Sequence, residues 1–187
     1  MRRLLLLTMA ILLINGVVFA QFDLGSLDVF TDLSSMSCDF TDAGGFLQVH
    51  VFVTHANDGT TAAQWKLTVP SGWTHLGDLP AFQTVIGTSV SGVSVAYGAC
   101  MSGDFLVLSA TFTMTAGATP ACSLIKIEPD PSAPSGSVEI VDCQLPSPAK
   151  QLFPYLGAGI VNDDGTCPCT YVPVQETTWG GIKALYQ

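Results

Sequence analysis

Carboxylates and histidines are the groups in this chain that could hold an ion or move a proton, and there are fifteen of the first and three of the second. The densest acidic run, VNDDGTC, sets Asn162, Asp163 and Asp164 beside Gly165, and a second short segment, CDFTD, offers Asp39 and Asp42. Oxygen ligands on loops suit a hard cation such as calcium. The alternating ligands and closing Glu of an EF-hand are absent, so no cofactor is expected as the first reading, and a loop-held calcium at Asp39, Asp42, Asn162, Asp163 and Asp164 is the alternative. Plain turns built on the same side chains are the favoured reading. No other cofactor is implied. His50 and His55 lie an odd number of positions apart on one expected strand and its exit, which puts them on opposite faces. His75 follows a loop. Neither a zinc-ligand spacing nor a base-plus-nucleophile spacing is present.

Nucleophilic catalysis finds little support. A serine hydrolase places its serine on a G-x-S-x-G elbow between a strand and a helix. The nearest match, GTSVSG at residues 87–92, has Ser91 where the last glycine belongs, and no helical pattern follows. Glycoside cleavage needs two carboxylates flanking the scissile bond, yet Asp39, Asp42, Asp58, Asp104, Asp130, Asp163 and Asp164 all fall in evident turns. No catalytic residue is assigned, and the chain is read as non-enzymatic. A secreted hydrolase using turn carboxylates is the remote alternative. Aromatic rings on loops could stack on flat ligands such as sugars. Trp65 sits on the apolar side of its strand, whereas Trp73, Phe153 and Tyr155 fall in loops and are the ligand-binding candidates.

The first twenty residues, MRRLLLLTMAILLINGVVFA, have the layout of a secretory leader. Arg2 and Arg3 start it, an apolar run from Leu4 to Ile14 follows, and Val18-Phe19-Ala20 offers a small-residue cleavage site. That run is shorter than the ~20 residues that span a bilayer, so no membrane insertion is expected after cleavage. The formal charge is −9 for the whole chain, and both arginines leave with the leader. Such an acidic chain without guanidinium groups repels phosphate backbones and anionic lipids, which excludes nucleic acid as a partner. The destination is outside the cell, at its surface or, in a two-membrane cell, the periplasm. In an oxidising compartment an even cysteine count reads as disulfides. Cys38, Cys100, Cys122, Cys143, Cys167 and Cys169 allow fifteen connectivities. Cys167 and Cys169 are too close to pair comfortably with each other, so each is expected to reach a different partner.

The elements that must position these groups read as strands. Leu47, Val49, Val51 and Val53 alternate in FLQVHVFVT; Ala63, Trp65, Leu67 and Val69 alternate in AAQWKLTVP. Leu106, Leu108, Ala110, Phe112 and Met114 do so in FLVLSATFTM, as do Ile125 and Ile127 in SLIKIEP. Period two with one wet face is the mark of antiparallel sheets. Shorter candidates are SLDVFT, VSVAY, VEIVD and AGIVN, separated by turn clusters such as HANDGTT and GACMSGD. The expected fold is all-β: a disulfide-stabilised antiparallel two-sheet sandwich or jelly roll of about eight or nine strands, ending in a short helical tail. Residues 21–169 form that sandwich and 170–187 a linker and tail.

The order of these segments resembles cohesin-type modules and related carbohydrate-binding sandwiches over residues 26–142, with cysteines that typical cohesins lack. It is similar, more closely, to a group of uncharacterised secreted bacterial β-sandwich proteins that share VSVAYGAC- and PSGSVEIVDC-like segments, a CPC near the end and a TWGxIKALY-type tail. The resemblance implies a compartment and a fold rather than a reaction. The expected function is a non-catalytic secreted or cell-surface module for adhesion, assembly or ligand binding, its partner an extracellular protein or a polysaccharide. A carbohydrate-binding module is the alternative. Composition leaves ligand and oligomeric state open.

In the tail, Trp179, Ile182 and Tyr186 fall at helical spacing with Leu185 beside them, behind a linker-like TYVPVQE. Gly180 and Gly181 weaken an isolated helix by about 1 kcal/mol each, so the stripe must dock on this domain or be read by another protein. Deleting residues 176–187 is expected to move a still-folded protein between the cell-bound and medium fractions. A lower melting temperature with unchanged location would instead make the tail part of the fold.

Overall fold

Alternation of this strength commits the chain to sheets, and the computed structural model contains ten strands among the described residues. It describes residues 24–34, 37–144, 150–153 and 156–167. The leader, Tyr155, Cys169 and the tail residues Trp179, Ile182, Leu185 and Tyr186 lie outside the described residues. The strands are β1 (Ser26–Phe30), β2 (Asp39–Phe40), β3 (Gly45–Thr68), β4 (Thr74–Pro80) and β5 (Thr84–Thr88), followed by β6 (Gly92–Met114), β7 (Ser123–Glu128), β8 (Val138–Asp142), β9 (Lys150–Phe153) and β10 (Leu156–Val161). No helix occurs among the described residues.

Two of these strands are unusually long. β3 and β6 run antiparallel from Gly45 opposite Met114 to Trp65 opposite Val93. HANDGTT and GACMSGD, expected as turns between strands, lie in the middle of this ribbon. There the chain bends without reversing. Ladder register shifts between Val53 and Ala56, Ala56 and Thr60, and Thr60 and Ala62, with His55 at φ 57° and Gly59 at φ 79°. Residues that tolerate positive φ serve bulges as well as turns, and bulges sharpen twist and bend a strand.

The bend lets one ribbon serve both layers of a β-sandwich. The first half of β3 and second half of β6 carry β1 on one side and β4 on the other. The other halves carry β5 on one side and β8, then β9, on the other. β7 pairs with the end of β3, at Lys66–Thr68, and with β10. β10 pairs in parallel with β2 and lies against β1. The corner is stapled by the Cys100–Cys143 disulfide. Gly59 packs beneath it: a Cβ there would stand 2.7 Å from Cys100 Sγ.

The inner faces supply the core. Val49, Val51, Val53, Ala63, Trp65 and Leu67 of β3 meet Val93, Val95, Leu108, Ala110 and Phe112 of β6, with Ile125, Ile127 and Ile140. Trp65 is fully buried. One expectation is corrected: from Val49 to Thr54, β3 has no wet face, whereas Phe46 and Gln48 before it are exposed. His50, Phe52 and Thr54 are also buried, because Phe30, Cys38 and Leu106 form a small second cluster over Phe52. His50 Nδ1 is 2.7 Å from Ser109 Oγ, and burial lowers its pKa against the pull of Asp32. Replacing Trp65 with Ala is expected to destabilise the fold by about 3–5 kcal/mol. Urea unfolding checks this as a lower midpoint at unchanged slope.

Candidate functional site

Several residues singled out for chemistry meet at one end of the sandwich, around a residue that was not. Thr119 Oγ1 accepts the indole N–H of Trp73 at 2.9 Å. Its amide donates to Asp42 Oδ2 at 2.9 Å, and its carbonyl accepts from Asn162 Nδ2 at 2.9 Å. Asn162 Oδ1 in turn accepts the Asp42 amide at 2.9 Å. Trp73 is half-buried, its ring 5.8 Å from that of Phe112. The Thr119 hydroxyl, followed by the Thr119 and Gly44 amides, holds the Asp42 carboxyl below its ordinary range against the effect of burial.

The structure thus brings Asp42 and Asn162 together, with the Asp42 carboxylate engaged by protein donors. Asp39 is exposed on β2. Asp163 and Asp164 form consecutive turns, accepting from the Gly165 amide at 2.7 Å and the Thr166 amide at 2.9 Å. Among the described residues, one group has metal-ligand spacing: Cys122, Asp164 and Cys167. Its two sulfurs are joined as a disulfide, which removes the thiolates a metal would need. Cys38 is disulfide-bonded as well. Phe153 packs half-buried against the core, and His55 sits at the β3 bend with its amide donating to Asp104 at 2.7 Å.

A second cluster joins residues of the hydrolase triad types. His75 Nε2 and Ser89 Oγ both approach Asp78 Oδ1, at 2.9 and 2.7 Å, and the Ser89 amide donates to Asp78 Oδ2 at 2.8 Å. In a working triad the imidazole lies between the other two and uses one nitrogen for each. Here the serine hydroxyl turns to the carboxylate and stands 3.4 Å from the same His75 nitrogen. Ser89 is also fully buried. The cluster pins the turn after β5 to β4. Spacing alone gave no signal for it, since β4 was not anticipated as a strand.

A third feature is the outer face of β5–β6–β3–β8–β9. Pairing aligns Thr84 and Ile86 of β5 with Ala96 and Ser94 of β6, these with Ala62 and Gln64 of β3, and these with Val141 and Glu139 of β8. Small side chains on the central strands between larger ones at the margins leave a hollow of about 170 Å³. Ile86 is 73% exposed at one margin, and Leu152 of β9 is 51% exposed beyond the other. Glu139 is buried in the wall and paired with Lys150, whose ammonium lowers its carboxyl pKa. No aromatic residue lines the hollow.

No protein-family model matches the chain, and no curated protein matches its sequence. Among solved structures, the chain is similar to a cohesin module from a Clostridium perfringens family 33 glycoside hydrolase. The TM-score is 0.52 at 6% identity, covering 76% of this chain and 99% of that one. It is also similar to a non-cellulosomal cohesin from the hyperthermophilic archaeon Archaeoglobus fulgidus (TM-score 0.49, 14% identity, 73% and 91% covered). A third is the third ScaB cohesin of R. flavefaciens, solved in complex with a group 1 dockerin (0.47, 14%, 77% and 96%). At these identities the likeness concerns the fold, and the Clostridium perfringens module carries it: the chain has a cohesin-like β-sandwich.

The Thr119 junction gives a prediction with a definite sign. Because the Asp42 carboxyl is held low in the folded chain, its contribution is complete above its unfolded value, near pH 4, and is lost as pH falls through the folded value. Asp42→Asn is expected to melt lower than the wild type at pH 7 and to lose less further stability between about pH 4 and 2. Parallel melting-temperature profiles would remove Asp42 from the acid response.

Proposed function

We infer that the protein is a non-catalytic module that binds another protein outside the cell or at its surface, through the outer face of β5–β6–β3–β8–β9. The observation that carries this reading is the hollow itself. Its floor of Ala62, Ser94 and Ala96 admits a side chain from outside, and its margins combine aliphatic Ile86 and Val141 with the Glu139–Lys150 pair. A protruding apolar side chain set in a fully desolvated pocket is the usual anchor of protein docking. Its one ion pair, Glu139 with Lys150, is already satisfied, so covering it strands no lone charge. The absence of a ring in the hollow favours a protein over a polysaccharide, because sugar faces are gripped mainly by aromatic stacking. The cohesin-like fold agrees with a binding role. The clusters around Asp78 and Thr119 are explained by their structural contacts. In this reading the C-terminal tail fixes where the module is held, and residues 1–20 bring it there.

A photo-crosslinking side chain at position 94, in the hollow, is expected to give a discrete adduct with an extracellular protein of the host. One at position 48, on the opposite sheet, is not. Ala96→Arg fills the hollow without touching the core and is expected to weaken that binding at least about tenfold, or ~1.4 kcal/mol, with melting temperature unchanged. Retention on insoluble polysaccharide that survives Ala96→Arg but is lost in Trp73→Ala would overturn the reading in favour of the carbohydrate-binding alternative.

A further inference from the structure

Every open sheet leaves edges, and folded proteins guard them against pairing with other chains. Most edges of this sandwich are guarded. β2 is two residues long and bears Asp39. β4 is broken by a bulge between His75 and Gly77 and ends on Pro80. β9 has four residues and opens with Lys150. β1 carries Asp28 at its centre and has β10 lying against it.

β5 is the exception. It pairs with β6 along Thr84–Thr88, and no ladder occupies its other side among the described residues. Its sequence, TVIGT, has no charge and no proline, and four of its five residues are exposed. The Asp78–Ser89 hydrogen bonds hold the strand's end rigidly in place.

The strand is also nearly its own mirror in order. Thr84 and Ile86 line the outer face, and reading the strand backwards gives the same Thr–Ile–Thr spacing about Ile86, with Gly87 at φ 92° supplying the adjustable link before Thr88. We propose that β5 pairs antiparallel with β5 of a second copy of this chain, about a two-fold axis through Ile86, joining the two sandwiches into one continuous sheet. In that register Ile86 meets Ile86 of the second copy, and each Thr84 meets a Thr88. Such cross-strand pairs are favourable, and a two-fold interface demands this self-complementarity. A charged central residue would face its own like charge across the axis; Ile86 does not.

The pairing leaves the two hollows open and side by side, so it stands independently of what they bind. An edge contact of this length belongs at the small end of specific interfaces, below about 1,200 Å². The expected state is therefore a weak dimer, in exchange with monomer. The chain's charge of −9 opposes it at long range, so added salt should tighten it.

Sedimentation velocity on the purified chain, from micromolar concentrations to about 1 mM, is expected to show mass rising toward that of a dimer, more readily at high salt. Ile86→Lys and Ile86→Glu should each remain monomeric with an unchanged melting temperature, and a one-to-one mixture of the two should restore the dimer. A wild-type chain monomeric throughout, or single variants that dimerise as the wild type does, would overturn the proposal. So would a mixture that stays monomeric, since it would place the contact away from the Ile86 axis.

Discussion

The pairing of β3 with β6 is the constraint on which the rest of the structure depends. Every other strand joins this ribbon directly or through one or two intermediates: β1, β7 and β8 on β3, β4 and β5 on β6, then β9, β10 and β2 at the periphery. Because both long strands bend at the same level, a single ladder creates both layers and aligns their inner faces. Val49, Val51 and Val53 before the bend and Ala63, Trp65 and Leu67 after it therefore enter one core. The His55–Gly59 segment and the disulfide above it set how the layers meet, so local backbone chemistry at one corner governs the global packing.

Much of this was legible in the sequence because side-chain alternation reports directly on burial. The segments that became β3, β6 and β7 were visible as period-two runs, and those of β1, β8 and β10 as shorter strand candidates bounded by turn residues. What alternation does not report is chain direction. HANDGTT and GACMSGD contain the residues that turns require, but the same residues permit bulges, and only the long-range partner decides between reversal and bending. β4, β5 and β9 were missed for another reason. THLGDLP, TVIGT and KQLF lie at sheet margins, where one strand neighbour and a largely exposed surface leave little periodic signal.

The candidate chemistry was legible only by residue type. Asp42, Asn162 and Trp73 were selected under two separate hypotheses, yet they converge on Thr119, a residue with no distinguishing context in sequence. Short polar side chains near strand ends have two uses, binding something foreign or closing the protein's own backbone hydrogen bonds. At both polar clusters the second use is the one in place: Asp42 accepts from Thr119, and Asp78 accepts from Ser89 and lies against His75. The hollow beneath Ile86 was invisible for the opposite reason. It is made by small residues on adjacent strands, and their adjacency exists only once register is set.

The Cys122–Cys167 disulfide has a mechanical meaning. β10 is the last described strand, and a pull on the chain beyond Cys167 would otherwise peel it from β7 one ladder bond at a time. The disulfide diverts that load to Cys122, just ahead of β7. Tension entering from the C-terminal side thus bypasses β10 and bears on a covalent cross-link beside the sheet. A module held by that end could be tugged by flow or by a moving partner without its terminal strand unzipping.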